Sequence, residues 1–408
     1  MGDKGKHKKI LMIAPASFPV TSAECIVNIK LLQAMSKSSQ FDIDLISKDI
    51  QWHNYPSDAL ESYNIHLNSL NIITVSNRLN IKTIWQHFLS FIYFRTVYKG
   101  SHWAAKALTT AKELVRKNTY DYVLTKNESS FLIGFWLKKH YNIKWIATWN
   151  DPFPKILYPD AYIRYWNIRK KPSDKRVIKI MRRYVDIHVF PNDRLRDHMN
   201  KTLNIDPDKT AVIPHIVLST ANEHERKEND GILKLIHSGN IGYPRDPELF
   251  FTALEQFFVN HPDAKLKVDI LGVTGQDITD SINRHSLEKH VQTIAPVTYH
   301  KSMDMLADYD IAVIIEAECK EGIFLPTKVS DFMQNGIPIF AISPEQGVLN
   351  DLYKNGNIPY FASNEDINQI RLQIEKIYDD YLNTRIGAGN VIPSNYTEKS
   401  VTDFYLSF

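Results

Sequence analysis

Short β-branched runs alternate with helix-period stretches along nearly the whole 408-residue chain, and the alternation breaks off once before starting again. That rhythm constrains the fold most. A strand that leads into a helix returns to the same sheet in parallel, and the helices cover both faces. In the first half the pattern predicts strands at 9–14, 41–47, 72–75, 120–125, 144–149, 185–190 and 211–214, with helices such as 23–36, 103–117 and 129–139 between them. In the second half it predicts strands at 233–237, 266–271, 311–315 and 337–342, and a last helix over 397–408.

The break is the polar, aperiodic run Ser219 to Asp230. A chain of this length exceeds one ordinary core and suits two domains of roughly 150–200 residues. The expected division is a first Rossmann-like domain over 1–218, a linker over 219–230, a second Rossmann-like domain over 231–390 and a C-terminal helix within 391–408, placed to pack back on the first domain. Two such domains leave a cleft at the carboxyl ends of their strands, where open α/β sheets bind ligands.

Net charge is +3, but it is divided unevenly. Up to Thr220 there are 33 Lys and Arg against 18 Asp and Glu, or +15; the remainder has 16 against 28, or −12. The basic half favours an anionic surface. Cys25 and Cys319 lie far apart in no metal-ligand spacing, and the pattern suits two reduced, buried thiols in a reducing compartment. The 15 histidines show no metal spacing either; His188 and His215 read as core or hinge residues. The apolar run after the basic N-terminus, 10–14, is too short for a signal core, and 88–94 is far below the roughly 18 residues that span a bilayer.

Two segments carry chemistry. In His237-Ser238-Gly239-Asn240-Ile241-Gly242-Tyr243-Pro244-Arg245-Asp246-Pro247 a strand enters a loop with two glycines and a helix follows. Free amides at such a turn attract phosphate oxygens, and Arg245 adds a bidentate cation. The alternative is an ordinary turn with a surface arginine. In Glu321 through Pro338, Pro326 and Thr327 open a short helix that Gly336 and Pro338 close, with Lys328 in its first turn and Asp331 one turn on. A lysine there adds to the positive helix end and suits a diphosphate; Asp331 is placed for ribose hydroxyls. The alternative is a Lys328–Asp331 surface pair worth ~0.3 kcal/mol.

Together, Gly239-Asn240-Ile241-Gly242 and Leu325-Pro326-Thr327-Lys328, with Asp331 through Gly336-Ile337-Pro338, resemble the donor half of GT-B glycosyltransferases, family 4 and its relatives above all. The first half is similar in its opening strand, its Trp149-Asn150-Asp151-Pro152 turn and its Val212-Ile213-Pro214 stretch. The resemblance implies the GT-B architecture and a nucleotide-diphosphate sugar as substrate, with no separate cofactor. It also implies a pair of acids eight positions apart. The second falls on Asp331; the first falls on Ile323, with Glu321 the nearest acid. It brings Lys328 to the donor phosphates.

The donor set is then Gly239, Asn240, Gly242, Arg245, Glu321, Pro326, Thr327, Lys328 and Asp331. Arg245 and Lys328 can stabilise a departing diphosphate without a metal. Asp151, at the end of an apolar strand, is either the base that activates an acceptor hydroxyl, an acceptor contact, or a turn cap before Pro152. Glu24, Trp149 and Asn150 complete the acceptor side. Aromatic and basic residues interleave over 81–103 and 162–183, a pattern that suits a membrane interface or, for the first stretch, a buried aromatic helix.

The expectation is a cytoplasmic hexosyltransferase, peripheral at an anionic membrane. It would act on a saccharide or lipid-linked saccharide in bacterial surface polysaccharide synthesis, with no nucleic acid as partner. The rivals are a nucleotide-sugar epimerase of the same fold, which needs acids in the cleft and no acceptor surface, and a non-enzymatic membrane- or nucleic-acid-binding adaptor.

Overall fold

Apolar strands fed by amphipathic helices build two parallel sheets, one from each half of the chain. The computed structural model describes residues 7–49, 56–76, 78, 80–98, 100–169, 171–219, 230–384, 386 and 389–408. The first sheet contains β1 (Lys8–Ile13), β2 (Phe41–Lys48), β3 (Ser69–Ile73), β4 (Tyr122–Lys126), β5 (Lys144–Thr148), β6 (Ile187–Phe190) and β7 (Thr210–Val212), in the order β3-β2-β1-β4-β5-β6-β7. The second contains β8 (Leu233–Ser238), β9 (Leu266–Leu271), β10 (Val291–Ile294), β11 (Ile311–Ile315), β12 (Ile339–Ser343) and β13 (Tyr360–Ser363), ordered β10-β9-β8-β11-β12-β13. Every pairing within the two sheets is parallel.

Both faces of each sheet are buried, which is why the strands are apolar nearly throughout. Along β1, Leu11 and Ile13 enter one core while Ile10 and Met12 enter another on the opposite face. The second sheet is covered in the same way by two clusters of its own. β10 and β13, which the sequence pattern does not predict, are the two edges of that sheet. Each is four residues long, and Gln292 and Thr293 of β10 are exposed.

In each sheet the strand order reverses once, between β1 and β4 and between β8 and β11. Those two switch points open the crevices in which ligands of such sheets bind. The expected linker lies almost wholly outside the described residues, since 220–229 are not among them. The C-terminal helix Glu398–Leu406 does pack back on the first half. Tyr405 joins its core, the Tyr122 hydroxyl donates to the Tyr405 carbonyl, and Lys37 pairs with Glu398 at 3.0 Å. Cys25 and Cys319 are free thiols, the first buried and the second only partly so.

The halves are joined by polar contacts along the cleft. Lys30, fully buried in the helix Ala23–Ser38, meets Asp331 at 2.6 Å and donates to Ser330 Oγ at 3.1 Å. His215 Nε2 donates to the Leu325 carbonyl and Asn192 Nδ2 to the Ile323 carbonyl, both at 3.1 Å. Burial drives the His215 pKa down to about 3, so the neutral ring acts as a fixed link. Arg194 binds Asp351 at 2.5 Å and Glu321 at 2.9 Å.

Candidate active site

The second-half wall of the cleft is built around a glycine that has no room for a side chain. β8 ends in Ser238, and Gly239 follows with φ +121°, a conformation that residues with a Cβ rarely adopt. A Cβ there would lie 2.9 Å from Lys328 Cε. Gly272, after β9, is under the same constraint, because its Cβ would lie 2.5 Å from the Gly239 carbonyl oxygen. The two bare positions let the Lys328 side chain cross the end of the sheet.

Lys328 leaves the first turn of the helix Thr327–Gln334, whose start carries no capping side chain. Its Nζ lies 3.1 Å from His237 Nε2, while His237 Nδ1 lies 3.2 Å from the Val313 carbonyl. These partners assign the imidazole proton to Nδ1 and leave Nε2 to accept from the lysine. Burial, Lys328 and Arg245 all hold the His237 pKa well below its ordinary value, so the ring is neutral. Burial and the nearby Arg245 push Lys328 down to about 7, with Glu316 opposing them.

Arg245 closes the same turn, in which it and Gly242 exchange backbone hydrogen bonds of 2.9 and 3.2 Å. Its Nε stands 3.6 Å from Glu316 and is buried without a hydrogen-bond partner among the described residues. Glu316 directly follows β11, so Gly239 and Glu316 flank the second switch point. Asn240 is exposed beside them, and Pro326 and Thr327 are half-buried at the helix start.

The first-half wall is assembled by the same logic. Glu24 begins the helix after β1; Lys126 ends β4 and Glu128 starts the helix that follows. Glu24 accepts from Asn150 Nδ2 at 2.6 Å and from Asn28 Nδ2 at 3.5 Å. Burial raises the Glu24 pKa, while Asn150 and Lys126 lower it. Burial pulls Lys126 down to about 8, against the pull of Glu24. Asp151 is exposed in the turn after β5. Desolvation by the surrounding protein raises its pKa, offset by Lys155, Tyr158 and Arg245. Arg245 therefore influences a carboxylate on the opposite wall.

Several expected site residues lie elsewhere. Trp149 is not on the acceptor side. Strand alternation continues past β5 and turns Trp145, Ala147 and Trp149 into the same core, where Trp149 Nε1 donates to His188 Nδ1 at 3.1 Å. Asn150, one residue on, does reach the cleft through Glu24. Glu321 is paired with Arg194 across the two halves. Asp331 takes Lys30 and the Tyr299 hydroxyl, the latter at 2.8 Å, so it belongs to the junction between the halves. Lys328 and Asp331 thus turn to different partners instead of to each other. Glu316, Lys126, Glu128, His237 and Tyr158 join the site without having been singled out from the sequence. Glu316 and Lys126 had a signal, since each is a charge placed at the end of an apolar strand. Among the described residues no group of three or more His, Cys, Asp or Glu is arranged to hold a metal.

Two parallel sheets of this order, with facing switch points and an interlocked C-terminal helix, decide the architecture. The chain has the GT-B fold. Residues 82–217 match the family model described as Glycosyltransferase Family 4. The fold is shared with HepE of Anabaena, solved with UDP and glucose, at 13% identity and a TM-score of 0.65 over 98% of this chain and 99% of that one. It is shared with the lipopolysaccharide outer core galactosyltransferase WaaB, at 13% identity and 0.62, over 98% and 99% of the two chains. A putative UDP-N-acetylglucosamine 2-epimerase from Listeria monocytogenes has it as well, at 11% identity and 0.57, over 98% and 95%. No curated protein matches the sequence significantly.

Proposed function

We propose that this GT-B protein is a glycosyltransferase that draws a sugar from a nucleotide diphosphate held against Gly239–Gly242 and Lys328. The observation that carries the reading is the convergence of Lys328, Arg245 and an uncapped helix start on a glycine turn stripped of side chains. Cations and oriented amides are what a departing diphosphate needs, because they stabilise charge as it develops. That HepE was solved with UDP supports a nucleotide-sugar donor. Across the cleft, Asp151 is the base that takes the proton from an acceptor hydroxyl, with Tyr158 and Lys155 beside it. Its raised pKa brings it nearer the range in which a base both stays ionised and binds a proton well.

The acceptor is a saccharide, free or lipid-linked, and the strongly basic first half suits an enzyme working at an anionic membrane surface from the cytoplasmic side. A role in bacterial surface polysaccharide synthesis accords with such an acceptor, as does transfer of a hexose.

Thermal unfolding with UDP, GDP, ADP and TDP, alone and as sugars, tests the donor site. A nucleotide at 100 times its dissociation constant stabilises the fold by about 2.7 kcal/mol. Lys328→Ala should remove that shift and abolish transfer. Indifference of the wild-type protein to every nucleotide, or unchanged transfer by the variant, would refute the reading. One observation favours a second reading: Glu24, Glu128 and Asp151 place three carboxylates at the cleft, and acid-base pairs are what an epimerase requires. Solvent deuterium appearing in a nucleotide sugar incubated without acceptor would decide for it.

A further inference from the structure

The helix Ile81–Phe94 is built inside out. Ile81, Ile84, Trp85, Phe88, Phe91 and Ile92 recur at helical spacing, forming one continuous face, and all six are exposed, Trp85 at 58%. The protein-facing arc buries Thr83, Ser90 and Phe94. On that side Gln86 Oε1 and His87 Nδ1 are also buried, with no hydrogen-bond partner among the described residues. A helix on the surface of a water-soluble domain turns its apolar stripe inward and its polar stripe outward. Leu89, Tyr93 and Phe94 pack on the core, yet the larger apolar face points outward, so packing on the protein alone does not explain the sequence. An apolar patch of this extent marks an interaction surface.

Charge identifies what covers it. Between Glu61 and Glu113 the chain has no Asp or Glu and six Lys or Arg. Arg78, Lys82 and Arg95 are exposed on or beside the helix, Arg95 as its C-terminal cap. A second copy of the chain packed about a two-fold axis would set these cations against themselves. An anionic lipid surface pairs with them instead. The segment that follows the helix returns to the cleft wall, where the Tyr98 hydroxyl donates to the Glu128 carbonyl. Its 14 residues extend about 21 Å, short of the roughly 30 Å hydrocarbon layer, and no described helix is long and apolar enough to cross it.

We propose that Ile81–Phe94 lies flat in the headgroup layer of an anionic bilayer, with its apolar face toward the acyl chains and Arg78, Lys82 and Arg95 at the lipid phosphates. The assignment deepens the membrane-facing reading of the first half and is independent of the donor site. It sets the mouth of the cleft at the membrane plane, where a lipid-linked acceptor presents its head.

Flotation of the full chain tests it, with vesicles of phosphatidylcholine alone or mixed 3:1 with phosphatidylglycerol. The wild-type protein should float with the mixed vesicles and largely fail to float with the neutral ones. The double variant W85E/F88E should lose about tenfold or more in vesicle partitioning, since each exchange removes a buried ring and adds an anion. Its nucleotide-induced thermal shift should equal the wild type's, which shows that it is folded. Lys82→Glu with Arg95→Glu should lose binding to the mixed vesicles alone. Wild-type protein that floats with neither vesicle overturns both the assignment and the membrane-facing reading. A double variant that floats like wild type overturns only the assignment to this helix. Equal flotation on both vesicles overturns its anionic part. A wild-type dimer by light scattering that W85E/F88E splits gives the face to a second copy. A missing nucleotide shift in wild type counts against the donor reading alone.

Discussion

The two walls of the cleft carry the charge that their halves lack. The first half has a net charge of +15, yet its wall presents Glu24, Glu128 and Asp151 around the buried Lys126. The second half has −12, yet its wall presents Lys328 and Arg245 around the buried Glu316. Net charge is dominated by the solvated exterior, where an added ion costs little. The cleft holds few charges, and each is partly desolvated and tied to a strand end. The two quantities answer to different solvents: water outside, and a ligand within.

That contrast can be broken most severely from the acidic side. Asp151→Asn should lower transfer by about 10²–10⁴ while leaving nucleotide affinity intact, because a general base acts only as the proton moves. Steady-state kinetics beside nucleotide titration would show it. An unchanged rate would demote the acid wall to acceptor binding or to a turn. The junction between the walls comes next. Lys30→Met would strand Asp331 without its buried cation, and chemical denaturation should report a loss of about 3–5 kcal/mol. A much smaller loss would mean that water reaches Asp331 when the halves part.

The cationic wall depends on its glycine. Gly239→Ala forces a Cβ into left-handed backbone and onto Lys328, which should cost about 1–3 kcal/mol in stability and weaken nucleotide binding. Calorimetry on the variant separates the two effects. The smallest effect is a slope. With Lys328 brought down to about 7, the free protein loses this ammonium as pH rises through that value, whereas a bound diphosphate restores it. Nucleotide affinity should therefore fall with rising pH above about 7, by at most about tenfold per pH unit, with a proton taken up on binding. Lys328→Met should flatten the slope. An affinity that rises with pH would assign the binding charge to another group.

The sequence revealed the site's parts better than their partners. Asp151 is a charge at the end of an apolar strand, and β4 and β11 end the same way, in Lys126 and Glu316. The neighbours of Trp149 point to the cleft, but the strict alternation of Trp145, Ala147 and Trp149 sends it to the core. Lys30 gave no warning, because a lysine on a helix is ordinarily wet, and the carboxylate that buries it lies 301 positions away. β10 escaped notice because an edge strand needs only one neighbour, and Gln292 and Thr293 leave it no apolar run.

Local pattern alone determined the alternation of strands and helices, the plan of two parallel sheets, the glycine turn and the cationic helix start. These follow from side-chain spacing and from backbone geometry, which act over a few residues. Tertiary structure decided which charges meet: Lys328 with His237, Arg245 with Glu316, Asp331 with Lys30, and Glu321 with Arg194. It also decided that the apolar stripe of Ile81–Phe94 faces outward. Periodicity shows that a helix has two faces, but only the surface it docks on selects the one that is hidden.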